Sequence, residues 1–248
     1  MRARARLVVE LAGGHSVVRL LRSMPPLTLV PSRTNGSSAT IRIVGSAAGP
    51  LGGDDLELSV HIGPGARLTL AGIAATLALP GPHGEQSRST VRMELAANAH
   101  VDYLPEPTVV TARANHHAVL DATLATGAEL HCREMLVLGR TRERPGRLTI
   151  TTNVTRDGHA VLRQQLDVVD STMDASVTPL AGKRVLATAL HLDGIVREPA
   201  SGEWWSTSPL AAGGTIVTAL ADDTVTASRL LDEQPSTSAQ KVCALNLS

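Results

Sequence analysis

The chain has 248 residues, with 23 basic and 23 acidic side chains and a pI near 7.1. That balance gives no field to draw nucleic acid, and one tyrosine, two tryptophans and no phenylalanine leave no basic-plus-aromatic platform for bases. The length suits one large β domain or two small ones, and Ala, Val and Leu must fill the core through many thin contacts rather than a few large ones.

The first stretch, MRARARLVVELAGGH, is basic and then briefly apolar. Glu10 interrupts it too early for a signal-peptide core, and no small-residue cleavage site follows. No apolar run is long enough to span a membrane. The expectation is a cytosolic protein with no membrane partner. Residues 47–55, AAGPLGGDD, are Gly-rich, but a strand rather than a helix follows and no lysine is present, so the stretch does not match a phosphate loop. It reads as a turn in which Asp54 accepts backbone hydrogen bonds. Residues 80–84 read as a second loop.

DLELSVHI (55–62) alternates, with Leu56, Leu58, Val60 and Ile62 on one face, which is the period of a half-buried strand. GPG makes a tight turn, and ARLTLAG resumes the alternation. The pattern recurs as STVRMEL–AAN–AHVDYLP, NHHAVLDATL–ATG–AELHCREMLVLG and RLTITTNVT–RDG–HAVLRQQLDVV. Four strand–turn–strand units at a spacing of roughly 30 residues predict stacked β architecture. Aligning the turns gives apolar columns: Ala66, Ala99 and Ala128; Leu68, Val101 and Leu130; Leu70, Tyr103 and Cys132. The polar columns are Arg67, His100 and Glu129, then Thr69, Asp102 and His131. Stacking in register would close the apolar columns into one wall. Tyr103 fills its column and ends its strand, because Pro105 and Pro107 offer no N–H for further pairing.

Helix is scarce. The best candidate runs from about 219 to 234, with Asp222 or Asp223 as N-cap. Residues 179–194 have helical spacing but many small or β-branched side chains and stay ambiguous. The final stretch, PSTSAQKVCALNLS, reads as loosely ordered at its start. The whole is expected to be a single domain over 1–248, mostly β, with a repeat-like region over about 41–170 and a mixed region over about 171–248.

Several constellations admit a chemical reading beside a structural one. His100, Asp102, Glu129 and His131 share a face and would hold a borderline metal weakly, or form an exposed polar ladder. His116 and His117, adjacent on a strand, point to opposite faces. Cys132 falls on the apolar face, as a buried free cysteine ordinarily does. Two cysteines, Cys132 and Cys243, are too few and too far apart for a disulfide framework or zinc site. EMLVLGRTRERPG (134–146) reads as a solvated hairpin tip or as an Arg-rich contact for an acidic partner. Trp204 and Trp205 suit a protein interface, or one of them caps the core.

The series GPLGGD, VHIGPGARLTLAGIAAT, VDYLPEPTVV and GAELHCREMLVLGR resembles the UreD (UreH) family of urease accessory proteins, in order and spacing, from about residue 25 to 234. The matching positions include Gly52, Gly53, Asp54, Tyr103, Pro105, Pro107, Gly139 and Arg140. The resemblance implies a β-helicoid fold with a few helices toward the C-terminus. It implies a non-catalytic scaffold that binds apo-urease and the UreF and UreG partners, UreG being the GTPase. It also implies Ni(II) in transit through an internal passage, with no cofactor held stably. Asp54, Glu106 and Glu134 stand at family positions near strand ends and are the candidate nickel-path residues. Departures from the family pattern occur at Ala71–Ile73, at Leu77 and at Pro145–Arg147, and the aromatic that usually follows the Pro-x-Pro segment is missing. Two other readings stay open: a β-solenoid metal-dependent enzyme using the His100/Asp102/Glu129/His131 cluster, and a plain protein-interaction module.

Overall fold

Alternating side chains build two facing sheets. A computed structural model describes residues 1–33, 36–168 and 180–232. In chain order the strands are β1 (Arg2–Ala12), β2 (His15–Arg22), β3 (Leu27–Ser32), β4 (Ala39–Gly45), β5 (Asp55–Ile62), β6 (Arg67–Gly72), β7 (Thr76–Ala78), β8 (Ser87–Leu95) and β9 (His100–Leu104). There follow β10 (Thr108–Val110), β11 (Asn115–Leu124), β12 (Glu129–Leu138), β13 (Arg147–Arg156), β14 (His159–Val168), β15 (Val185–Leu192), β16 (Ala200–Ser201), β17 (Trp205–Pro209) and β18 (Thr215–Ala221), and one helix, α1 (Thr224–Asp232).

One sheet has the order β14-β13-β11-β8-β5-β1-β2, the other β16-β17-β18-β15-β12-β9-β6-β4-β3. Pairing is parallel from β1 through β5, β8 and β11 to β13, and from β4 through β6 and β9 to β12. The turns at 63–65, 96–98 and 125–127 therefore carry the chain from the first sheet to the second. Three of the four repeating units are rungs of a solenoid. The fourth differs: β13 and β14 form an antiparallel hairpin inside the first sheet.

The three rung turns share a conformation. Gly65, Asn98 and Gly127 occupy the same place and all have positive φ, at 68°, 58° and 71°. Glycine and asparagine are the residues that adopt this backbone most readily. The turns also bond to one another, Gly65 N–H to Ala97 C=O at 3.0 Å and Asn98 N–H to Thr126 C=O at 3.2 Å. The next residue must fit the inside of the corner, and Ala66, Ala99 and Ala128 are all buried there. The predicted columns are the observed ones. Leu68, Val101 and Leu130 are register partners with no exposed surface, and Leu70, Tyr103 and Cys132 are partners one step on.

The ambiguous stretch over 179–194, described from 180 onward, holds a strand, β15, bounded by β12 and β18. Its apolar pattern looks helical because both faces are covered. Leu186, Leu190 and Leu192 enter the space between the sheets, while Val185, Ala187 and Ala189 lie with Ala227 and Leu231 of α1. Residues 219–221 end β18, so the helix expected over 219–234 begins later. Asp223 is its N-cap: Oδ1 accepts the Thr226 N–H at 2.8 Å. Residues 233–248, with Cys243, lie outside the described residues.

The second sheet is interrupted. β12 is continuous, but its neighbour is β9 up to Cys132 and β10 from Leu136 onward. The same interruption separates β6 from β7. Between the flanking paired positions the chain advances by four residues on β12 (Cys132 to Leu136), five beside it (Tyr103 to Thr108) and six in the next row (Leu70 to Thr76). The excess chain loops out at 73–75 and 105–107; Pro105 and Pro107 have no N–H to give there, and the Pro107 carbonyl accepts the Thr76 N–H at 2.9 Å where pairing resumes.

Candidate functional site

Behind this gap lies a cavity of about 180 Å³ between the two sheets. Leu58 and Leu120 of one apolar cluster and Leu136 of another both line it, so it separates two parts of the core. Its polar groups include Glu106, Glu134, Tyr103, Thr90 and His116.

Glu134 owes its place to strand alternation. Leu130, Cys132, Leu136 and Leu138 are the buried positions of β12, and Glu134 is the one acid in that inward series. It lies opposite the Pro105–Pro107 break. The surface it keeps faces the cavity, and burial pushes its carboxyl up to about 7. It therefore titrates near neutral pH and is able to exchange a proton for a cation. Burial also raises the Tyr103 hydroxyl and the Cys132 thiol well above their usual values, and the Glu134 charge adds to both. Cys132 is thus a protonated, inert side chain. His116 comes from the facing sheet. Its Nδ1 lies 2.9 Å from Ser87 Oγ, and burial lowers it to about 4, so it is a neutral imidazole. His117 points the other way, with Nε2 3.0 Å from Thr151 Oγ1.

Glu106 stands at the exposed side of the gap and also lines the cavity. Gly72 makes room for it. Asp54 is not a lining group, although Gly49 and Pro50 of its own loop are. Its Oδ2 accepts the Leu51 N–H at 2.9 Å, as expected for a turn acid, and its Oδ1 is 2.7 Å from the Met1 amino group. Gly52 packs against Gly81 so closely that a Cβ would collide with backbone.

Segment 134–146 is not a hairpin tip. It ends β12 and then crosses from the second sheet to β13 of the first. Arg140 is paired within that crossing: its Nε and Nη2 donate to Glu143 at 2.9 and 2.8 Å. Arg184 donates to the Gly139 and Arg140 carbonyls at 2.9 and 2.8 Å. Trp205 packs on the cluster beneath α1, and Trp204 lies under Lys183 Nζ, 4.4 Å from the ring centroid.

On the outer face of the second sheet the polar columns meet as the register requires. Asp102 Oδ1 lies 3.2 Å from His100 Nε2 and 3.3 Å from His131 Nδ1. His100 Nδ1 is 2.9 Å from Glu129 Oε2. Sequence reasoning missed two members. β15 runs antiparallel to β12 and sets His191 opposite His131, and Asp193 Oδ2 comes within 3.5 Å of His131 Nε2. Arg197 Nη2 holds the same Asp193 oxygen at 2.7 Å. The Asp102 and Asp193 carboxylates raise His131 to about 9, and Asp102, ahead of Glu129, raises His100. Burial and the Arg197 charge lower His191 to about 4. Hydrogen bonds from His100 and His131 hold Asp102 well below the usual carboxylate range. Asp193 is also low, because its bonds from His131 and Arg197 outweigh its burial.

Comparison with known proteins bears on this architecture as a whole. The family model described as "UreD urease accessory protein" matches residues 1–244. The chain belongs to the UreD family. It is 51% identical over 239 residues to urease accessory protein UreD 1 of Saccharopolyspora erythraea, covering 94% of each chain. It is 36% identical over 240 residues to UreD of Streptomyces coelicolor, again covering 94% of each. UreD 2 of Saccharopolyspora erythraea is 32% identical over 243 residues, covering 93% of this chain and 86% of that one. The stacked sheets, the Pro-x-Pro break and the cavity behind it are thus features of a UreD protein. No helix among the described residues is long and apolar enough to cross a membrane.

Proposed function

We propose that this UreD protein is a non-catalytic scaffold that binds urease before its metal is inserted, together with UreF and UreG partners, and passes Ni(II) toward the urease active site. The observation that carries this reading is the carboxyl of Glu134, set inward at a break in the second sheet and lining the same cavity as Glu106. A scaffold that hands on an ion must hold it loosely. Among the described residues, the cavity contains no three ligand atoms of His, Cys, Asp or Glu close enough to enclose an ion. Glu106 meets the cation at the exposed side and Glu134 takes it inside. Near neutral pH Glu134 exchanges its proton for the ion and returns to the protonated form when the ion leaves. Asp54 has a different part: it holds the loop that carries Gly49 and Pro50 at the cavity wall.

The test is reconstitution of urease with its accessory proteins, measuring nickel per active site and urease activity. Glu134→Ala and the Glu106→Ala/Glu134→Ala pair are expected to lower both while pull-down of urease and partners stays intact. Full nickel loading by the double variant would remove this route. Turnover by the isolated chain with a bound metal would instead favour an enzyme.

A further inference from the structure

The outer face of the second sheet carries a group of side chains that the proposed cavity route does not use. His100, Asp102 and His131 lie on the face opposite to Val101, Tyr103 and Cys132, which enter the core. Their nearest ligand atoms are all within 4.8 Å of one another. Two features set them apart from an ordinary ion-pair ladder.

First, both imidazoles aim one nitrogen at the same oxygen, Asp102 Oδ1, at 3.2 and 3.3 Å. Ligand atoms on a tetrahedral ion with bonds of about 2.0–2.1 Å stand roughly 3.3 Å apart. Those two spacings already match. Second, each ring backs onto a second carboxylate through its other nitrogen. Glu129 Oε2 is 2.9 Å from His100 Nδ1, and Asp193 Oδ2 is 3.5 Å from His131 Nε2. Metal-bound histidines are typically oriented in this way, with a carboxylate, carbonyl or water on the non-ligating nitrogen.

We propose that His100 Nε2, Asp102 Oδ1 and His131 Nδ1 form a binding site for a divalent first-row ion such as Zn(II), Co(II) or Ni(II), with Glu129 and Asp193 orienting the two rings. Two imidazoles and one carboxylate are the donor set that suits these ions, rather than Ca(II) or Mg(II). The ligands come from two adjacent strands in fixed register, so the site is built by the sheet and not by a mobile loop. His131 and Asp102 keep about a third of their side-chain surface, 31% and 32%, which leaves the ion's remaining positions open to water. The site is thus one for an exchangeable ion. It does not depend on the cavity route, which lies on the other side of the sheet.

The experiment uses the full chain, stripped of metal, with Zn(II) and Co(II) as probes. X-ray absorption of the wild-type Co(II) form should report two imidazole ligands and oxygen donors. Competition against a chromophoric chelator should show one Zn(II) bound. His100→Ala with His131→Ala should weaken it at least about a hundredfold, and Glu129→Gln about tenfold, as for other supporting carboxylates. His191→Asn should leave affinity within about twofold. Absence of imidazole in the Co(II) spectrum, or Zn(II) binding unchanged in the double histidine variant, overturns the proposal. So does a loss in His191→Asn equal to that in the double variant, since the ion would then sit in the His131–His191–Asp193 set.

Discussion

Gly72 lies directly against Glu106: a Cβ placed at Gly72 would come within 2.6 Å of the Glu106 backbone nitrogen. The contact joins the end of β6 to the looped-out row beside it, where the second sheet is open. Because the clash is with backbone, trimming the Glu106 side chain does not relieve it. Gly72→Ala should therefore destabilise the fold by about 1–3 kcal/mol, the usual cost of overpacking. Adding Glu106→Ala should not restore it. Denaturant midpoints of the two variants provide the measurement.

Glu134 should make stability depend on pH. Its carboxyl is raised from 4.5 to about 7 in the folded state. The folded protein holds this proton more tightly than the unfolded chain, so the unfolded chain ionises first as pH rises. The Glu134 contribution to stability is then fullest below about 4.5, falls between 4.5 and 7, and levels off above 7. The ceiling is about 3 kcal/mol, and water in the cavity reduces it to about 1–3 kcal/mol. Glu134→Gln carries no charge, so it should be the more stable form above pH 7 and lack this slope. Equal slopes in the two proteins between pH 5 and 7 would contradict the assignment.

Tyr103 is the one large side chain in a column otherwise made of Leu70 and Cys132, and it also borders the cavity. Tyr103→Ala should cost about 3–5 kcal/mol, the range for truncating a buried aromatic. It also enlarges the cavity, so nickel loading of urease should change in any variant that still folds. Tyr103→Leu, which keeps most of the apolar volume, should recover the larger part of the stability.

Asp223 caps α1 through the Thr226 N–H. Asp223→Ala should speed amide exchange in the first turn of α1 by about fivefold, the effect of losing a typical N-cap, while Asp223→Ser should not. Amide exchange in β12 should stay as it was. A uniform change across the protein would show that the cap acts on the whole fold.

The residues themselves determined the wall. A period of two, a left-handed turn residue at 65, 98 and 127, and an alanine after each fix which side chains face in and which strand stands beside which. Columns read from spacing alone therefore matched the register, and so did the inert position of Cys132; of the two acids offered as cap, Asp223 is the one that bonds Thr226. Local signals of this kind act over a few residues and are written in the order of the chain.

Tertiary structure alone decided the rest. A turn of three residues does not reveal whether it closes a hairpin or passes from one sheet to another, because that choice depends on what the next strand finds to pair with. The growing step from β12 to β7 is a property of three rows compared, and only their sum opens the gap beside Glu134. His191 and Asp193 join His131 from some sixty positions away, because β15 returns antiparallel to β12. Helical spacing in that strand came from cover on both faces, which no local pattern separates from one amphipathic helix.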